Sequence, residues 1–245
     1  MFKKPHMNTY RFIKVNKSRI ILVLGLVAFL LVLFSIIGQL LLKPTQPVHI
    51  QGIITLFDLA AEGNLPTYYS SVLLLIAALL LFVVTLMERT IKSRYVPYWA
   101  FLTIGFIYLS MDEMLMLHEG ISRFIRAVTD YSGEGVLKSP WVILGTITVT
   151  VILLVFIKFI THLDQKTRYL FLIAGALYVG GAIGFEIIEN LYADAYGQDL
   201  VYSMLQNLEE GMEMAGIIVF IYALLNYMGS NYGLLNLLFQ PDSKS

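Results

Sequence analysis

The sequence contains no cysteine among its 245 residues, which excludes a disulfide framework and a thiolate metal site. Charged residues make up only 14% of the chain, and 17 basic residues balance 17 acidic ones. Net charge therefore indicates no partner, and we predict no binding of nucleic acid. The chain also lacks the P-loop, the dinucleotide-binding glycine pattern, the G-x-S-x-G nucleophile motif and the H-E-x-x-H zinc motif.

Long apolar runs, by contrast, are abundant. Hydrophobic residues account for 58% of the chain, and the mean hydropathy is +0.74. A run of about 20 apolar residues can cross a hydrocarbon core about 30 Å thick. We predict an all-α polytopic membrane helix bundle, with residues 1–245 as one transmembrane domain in a lipid bilayer. After an N-terminal tail (1–19), the six predicted transmembrane helices cover residues 20–42, 70–86, 98–117, 141–159, 169–188 and 205–227.

Lys and Arg residues are distributed unevenly between the predicted loops. Thirteen of the 17 fall in the two tails and in the connections after the second and fourth spans. Positive residues accumulate in cytoplasmic segments of membrane proteins. The pattern therefore predicts that both termini are cytoplasmic and that the other connections lie outside.

Two outer segments and one span carry further local signals. The first outer loop contains "GIITLFDLAAEGN" (52–64), which is typical of a short helix on the membrane surface. The second opens with "GISRFIRAV" (120–128), whose apolar residues share one helical face. In the fifth span, Gly180 and Gly184 have the spacing of a close helix contact, and we expect Gly184 to pack against a neighbouring span.

Acidic residues are concentrated where a membrane helix tolerates them least. A charged residue at the centre of such a helix costs about 2.5–3.5 kcal/mol on insertion scales. Nevertheless, eight of the 17 acidic residues lie in or beside the third, fifth and sixth spans, which contain no Lys or Arg. These eight are Asp112, Glu113, Glu119, Glu186, Glu189, Glu209, Glu210 and Glu213.

Helix geometry predicts that these acids meet. Asp112, Glu186 and Glu213 each lie roughly 20–24 Å from the predicted inner end of their helix, at 1.5 Å per residue. On a continuous third helix, Asp112 and Glu119 would share a face. Each of the three helices can then direct two or three carboxylates towards a common centre in the outer half of the bilayer.

A cluster of this kind must be neutralised by protons or by a cation. Carboxylates from several helices, with a histidine, bind the metals of di-iron and di-manganese sites in helix bundles. The E-x-x-H spacing of those sites is absent here, and oxygen-rich ligation with one imidazole favours Fe or Mn over Zn, Ca, Mg or Cu. The predicted metal ligands are Asp112, Glu113, His118, Glu186, Glu189, Glu210 and Glu213. Glu119 and Glu209 are the candidates for a catalytic base.

Two motifs resemble those of a group of uncharacterised bacterial multi-pass membrane proteins. One is S-x-D-E-x4-H-E, from Ser110 to Glu119, and the other is E-E-x-x-E-M-x-G, from Glu209 to Gly216. The resemblance brings no known activity and implies only that these acids form a set. We expect the chain to lie in a bacterial cytoplasmic membrane or in a thylakoid-type membrane.

Three functions remain open at this point, and whether the protein is an enzyme is one of the open questions. The first is a metal-dependent membrane enzyme or metal-binding protein, in which the metal activates oxygen or acidifies a water. The second is a proton or cation carrier in which Glu186 and Glu213 titrate in turn. The third is a structural or assembly subunit that binds other membrane subunits.

The predicted topology can be tested with reporter fusions. A reporter fused after Asn190 should lie outside, and one fused at Ser245 should lie in the cytoplasm, because an odd number of spans separates them. Reports from the same side would contradict the predicted number of spans.

Overall fold

Long apolar helices dominate the computed structural model, which describes residues 11–14, 16–41, 48–129, 131–232 and 236–239. Within these residues the chain forms helices α1 to α9, together with a π-helical segment (Gly180–Phe185) and a 3-10 turn (Gly135–Leu137). The helices are α1 (Lys17–Leu41), α2 (Val48–Leu56), α3 (Leu65–Thr90), α4 (Val96–Leu115), α5 (Leu117–Thr129), α6 (Pro140–His162), α7 (Gln165–Val179), α8 (Glu186–Tyr196) and α9 (Leu200–Tyr232). The all-α bundle is confirmed.

Five helices in the described chain are long and apolar enough to cross a membrane: α1, α3, α6, the continuous stretch Gln165–Tyr196, and α9. The predicted third span corresponds to α4 and α5, which are bent by 70° relative to each other. If this bent pair counts as one span, the bundle has six. The short helix expected within residues 52–64 lies earlier in the loop, as α2 (Val48–Leu56), and residues 57–64 form turns and bends instead.

Contacts between helix ends show how the crossings alternate. At one end of the bundle, the Lys17 Nζ at the start of α1 donates to the Asn226 Oδ1 near the end of α9, over 2.9 Å. The Lys166 Nζ at the start of α7 reaches the same oxygen at 3.5 Å. The Tyr227 hydroxyl of α9 donates to the Glu88 Oε1 near the end of α3, over 2.6 Å. Therefore α1 and α7 begin where α3 and α9 end.

The helices α4 and α6 follow the same alternation. Tyr95, immediately before α4, stacks on His162, the last residue of α6, with ring centroids 3.9 Å apart. We call this end of the bundle the basic end and the opposite end the acidic end.

A two-stranded antiparallel ribbon also pairs Arg11–Lys14 (β1) with Asn236–Phe239 (β2). Because these strands flank α1 and α9, the ribbon favours an even number of crossings.

The core of the bundle surrounds α9, whose residues Met214, Ile217, Ile221 and Leu224 are almost fully buried. Near its middle, α9 crosses α7 at Gly216. A Cβ atom at this position would lie 2.8 Å from the backbone nitrogen of Tyr178 and 2.9 Å from the backbone oxygen of Ala174. Only glycine permits this approach, since both obstructing atoms belong to the backbone.

We expect Gly216→Ala to lower the free energy of unfolding by roughly 1–3 kcal/mol, the usual cost of overpacking a core. The measurement is thermal or denaturant unfolding of the purified protein in detergent. Gly175→Ala in α7 is the matched control, because a Cβ atom there meets nothing within 4 Å. Equal effects of the two substitutions would contradict the close crossing.

Candidate functional site

The third predicted span breaks immediately before its histidine. Met116 adopts a left-handed conformation (φ 52°, ψ 44°) between α4 and α5. Asp112 stabilises the break: its Oδ1 accepts the backbone N–H of His118 over 2.8 Å, and its Oδ2 lies 3.0 Å from the His118 Nδ1. The expectation that Asp112 and Glu119 share a face of one continuous helix was therefore wrong. Instead, the break folds the His118 ring back onto Asp112.

The fifth span is also irregular beside the acids. Between α7 and α8, residues Gly180–Phe185 form a π-helical segment, a feature that occurs often at functional sites. A Cβ atom at Gly181 would lie 2.9 Å from both the Glu209 backbone oxygen and the Glu213 Cγ. Gly184 has no neighbour within 4 Å of its Cβ position, so the expectation that Gly184 packs closely was wrong. Gly181 is the residue that lets this span approach the acids of α9.

Three glutamates converge beside the π-helical segment. Glu186 and Glu189 on α8 and Glu209 on α9 each offer a carboxylate oxygen, and these oxygens lie within 4.8 Å of one another. We call these residues the glutamate triad. Glu186 is held in place because its Oε1 accepts hydrogen bonds from the Ser139 Oγ (2.5 Å) and the Asn190 Nδ2 (3.2 Å).

Glu189 is the most enclosed member of the glutamate triad, with only 3% of its surface exposed. Its Oε1 is buried and receives no hydrogen bond from a neutral or basic donor among the described residues, although the carboxyls of Glu189 and Glu209 are close enough to share a proton. An unpaired buried oxygen of this kind costs free energy. It is therefore well placed to accept a ligand bond or a proton.

The other predicted ligands form a second, adjoining group, which we call the histidine group: Asp112, Glu113, His118, Glu210 and Glu213. Glu113 interacts electrostatically with Glu210, His118 and Asp112, and Glu213 interacts with Glu210, Glu113 and Asp112. The two groups meet on α9, where Glu209 interacts electrostatically with Glu189 and Glu213, and Glu210 interacts with Glu189. The seven predicted metal ligands thus lie in two neighbouring sets.

The two candidates for a catalytic base have different surroundings. Glu119 lies on the exposed side of α5 and pairs with Arg123 over 3.2 Å, and 45% of its side chain is exposed. Glu209 is a member of the glutamate triad, so its carboxylate is positioned as a ligand as well as a base.

One acidic residue at the site was missed by the sequence analysis. Glu62 precedes Gly63, in the loop between α2 and α3, and interacts with Glu119, His118 and Asp112. Asn64 anchors this loop: its Nδ2 donates to the backbone oxygens of Asp58 (2.6 Å) and Ala61 (2.8 Å). Periodicity within spans could not identify Glu62, because it lies in a loop and only the tertiary fold brings it to the site.

Surrounding protein atoms raise the pKa of the Glu62 carboxyl above its ordinary value, and the neighbouring carboxylate of Glu119 raises it further. The Glu62 residue is nevertheless exposed at the surface. It therefore joins the solvent-facing side of the acidic end to the histidine group.

A family model described as a domain of unknown function matches residues 21–227. The chain belongs to this family, DUF8692. The DUF8692 match includes both acidic groups and Glu62, and it agrees with the resemblance to an uncharacterised group of proteins. Comparisons with curated proteins and with solved structures gave no match.

Because the pKa of Glu62 is raised in the folded protein, we expect the contribution of Glu62 to stability to depend on pH. Between the ordinary carboxyl pKa and the raised pKa of folded Glu62, the folded chain retains a proton that the unfolded chain has lost. The contribution of Glu62 to stability therefore decreases as the pH rises through this interval. We expect Glu62→Gln to raise the thermal midpoint at neutral pH and to leave it nearly unchanged in mild acid.

The control for this experiment is Glu134→Gln, because Glu134 is an exposed acid that makes no side-chain capping bond. Thermal unfolding in detergent across the pH range measures both variants. A midpoint for Glu62→Gln that follows the unsubstituted protein at every pH would contradict the environment assigned to Glu62.

Proposed function

We propose that the protein binds a divalent cation through the glutamate triad and that this cation supports a metal-dependent activity at the acidic end of the bundle. The observation that carries the proposal is the buried, unpaired Oε1 of Glu189, beside carboxylate oxygens of Glu186 and Glu209.

Electrostatics favours a cation over an empty triad. At an effective dielectric constant near 20, two carboxylates about 4 Å apart repel each other by about 4 kcal/mol. The described part of the chain places no Lys or Arg in an ion pair with any member of the triad. A divalent cation would neutralise the carboxylates and would also occupy the unpaired oxygen of Glu189.

The donor set narrows the choice of metal. Carboxylate oxygens suit Mg²⁺, Ca²⁺ and Mn²⁺, whereas thiolate and thioether ligands favour Zn and Cu(I). His118 is bonded to Asp112 in the neighbouring group, so the imidazole that favoured Fe or Mn in the sequence is not part of the triad. Mn²⁺ fits both the triad alone and a site extended to His118, and we propose it as the first metal to test.

The neighbouring residues suit an activity that involves proton transfer. A metal of this kind can acidify a bound water or polarise an oxygen of a substrate. The Ser139 hydroxyl and the Asn190 amide orient the Glu186 carboxylate. Asp112 holds one ring nitrogen of His118, which leaves the Nε2 to accept or donate a proton as a general base or acid.

A specific arrangement also favours the proton carrier as a second candidate. Electrostatic interactions link the exposed Glu62 to Glu113, and Glu113 and Glu210 to Glu213. Chains of ionisable residues inside membrane proteins commonly conduct protons. In this alternative the triad would exchange protons instead of holding a metal.

Metal removal tests the leading proposal. A ligand that binds only the folded state at 100 times its dissociation constant stabilises the fold by about 2.7 kcal/mol. We expect a chelator to lower the thermal midpoint at neutral pH and added Mn²⁺ to restore it. Acidification should restore it in part, because protons can replace the cation on the carboxylates.

Variants of the triad make the test specific. Glu186→Gln and Glu209→Gln should each weaken Mn²⁺ binding by at least about tenfold, as measured by elemental analysis and calorimetry, whereas Glu134→Gln should not. The proposal would be contradicted if the protein purified without metal and its thermal midpoint changed neither with a chelator nor with added Mn²⁺. The proton carrier alone predicts a pH-driven flux in liposomes that Glu213→Gln abolishes.

A further inference from the structure

A polar cleft lies at the basic end of the bundle, opposite the acidic groups. It has a volume of about 560 Å³ and lies between the start of α4 and the end of α6. Its lining consists of basic side chains and hydroxyl-bearing side chains: Arg94, Tyr95, Tyr98, Lys158, Thr161 and His162.

The basic side chains of the cleft lack carboxylate partners. The ion pairs of the described chain involve His118, Arg123 and Lys138, and none of them includes Arg94, Lys158 or His162. The cleft therefore holds positive charge that no acidic side chain in the described residues neutralises directly.

Tyr95 organises two of these groups. Its buried ring stacks on His162 at 3.9 Å, and its hydroxyl accepts a 2.7 Å hydrogen bond from Arg94. The carboxylate of Glu88 is close enough to interact with His162. However, Glu88 already accepts hydrogen bonds from the hydroxyls of Tyr227 and Tyr232, which leaves the cleft itself cationic.

The cleft adjoins an apolar groove. This groove has a volume of about 370 Å³ and lies between α4 and α6. Its lining is almost entirely apolar and consists of Pro97, Tyr98, Phe101, Val151, Ile152, Val155 and Phe156. Tyr98 lines both cavities, so the groove begins where the cleft ends. It extends along both helices, from the basic end towards the middle of the bundle.

We propose that the cleft and the groove together bind one anionic phospholipid, with its phosphate among Arg94, Lys158 and His162 and an acyl chain along Val155 and Phe101. Two independent features support this occupant: unpaired positive charge at the basic end of the bundle, and a contiguous apolar groove between α4 and α6. Basic pockets between transmembrane helices recognise anionic headgroups by the same chemistry. Free phosphate would satisfy the cleft but would leave the groove without a partner.

This lipid site is separate from the proposed cation site, because it lies at the other end of the bundle and shares no residue with it. Its test uses the full-length protein in detergent. Phosphatidylglycerol, phosphatidylcholine with the same acyl chains, and inorganic phosphate are each titrated while bound lipid is measured by native mass spectrometry and the thermal midpoint is recorded. We expect phosphatidylglycerol to bind roughly tenfold more tightly than phosphatidylcholine, and phosphate alone to have little effect.

Two variants test the two halves of the site. Arg94→Gln combined with Lys158→Gln should weaken phosphatidylglycerol binding by roughly tenfold or more. The matched control removes two exposed positive charges near the same end, outside the cleft: Arg89→Gln with Lys92→Gln. Val155→Trp should also weaken binding, because the larger ring fills the groove while every charge is retained.

Several results would overturn the proposal. Equal binding of the two lipids would show that the headgroup charge is not recognised. An effect of inorganic phosphate as large as that of phosphatidylglycerol would assign the cleft to a free anion. Equal losses in the charge variant and its control, or unchanged binding in Val155→Trp, would show that the lipid does not occupy this site. The comparison of ligands on the unsubstituted protein decides the matter even if a variant fails to fold.

Discussion

The need to neutralise carboxylates inside an apolar bundle is the constraint on which the rest of this structure depends. Within the described residues no Lys or Arg forms an ion pair with an acid of the glutamate triad or of the histidine group, so basic side chains do not balance this charge directly. The chain instead places acids from α4, α8 and α9 opposite one another. That arrangement is unfavourable without protons or a bound cation, and it is the physical basis of the proposed function.

Backbone irregularities make this convergence possible. The left-handed residue Met116 ends α4, and Asp112 accepts a hydrogen bond from the backbone N–H of His118 on α5. The π-helical segment and Gly181 bring the fifth span close to the backbone of α9 beside Glu209. Both features lie within one or two turns of the acids, where irregular backbone shapes a polar site inside an otherwise regular bundle.

The two ends of the bundle have opposite chemistry. Acids without basic partners collect at one end, and Arg94, Lys158 and His162 line an open cleft at the other. Positive residues on one side of a membrane orient the chain, but most of them need no pocket for that purpose. The combination of this cleft with an apolar groove therefore points to a ligand that has both a charged and an apolar part.

The sequence by itself determined the class of fold, the approximate spans and the concentration of acids in and beside three of them, because hydrophobic run length and the cost of buried charge are local properties. The separation of the acids into a glutamate triad and a histidine group was decided only by the tertiary structure. A 70° bend and a π-helical segment change which faces meet, and neither feature follows from regular helix periodicity. Glu62 reaches the site through a loop whose path depends on the Asn64 hydrogen bonds, so no periodicity in the sequence could reveal it.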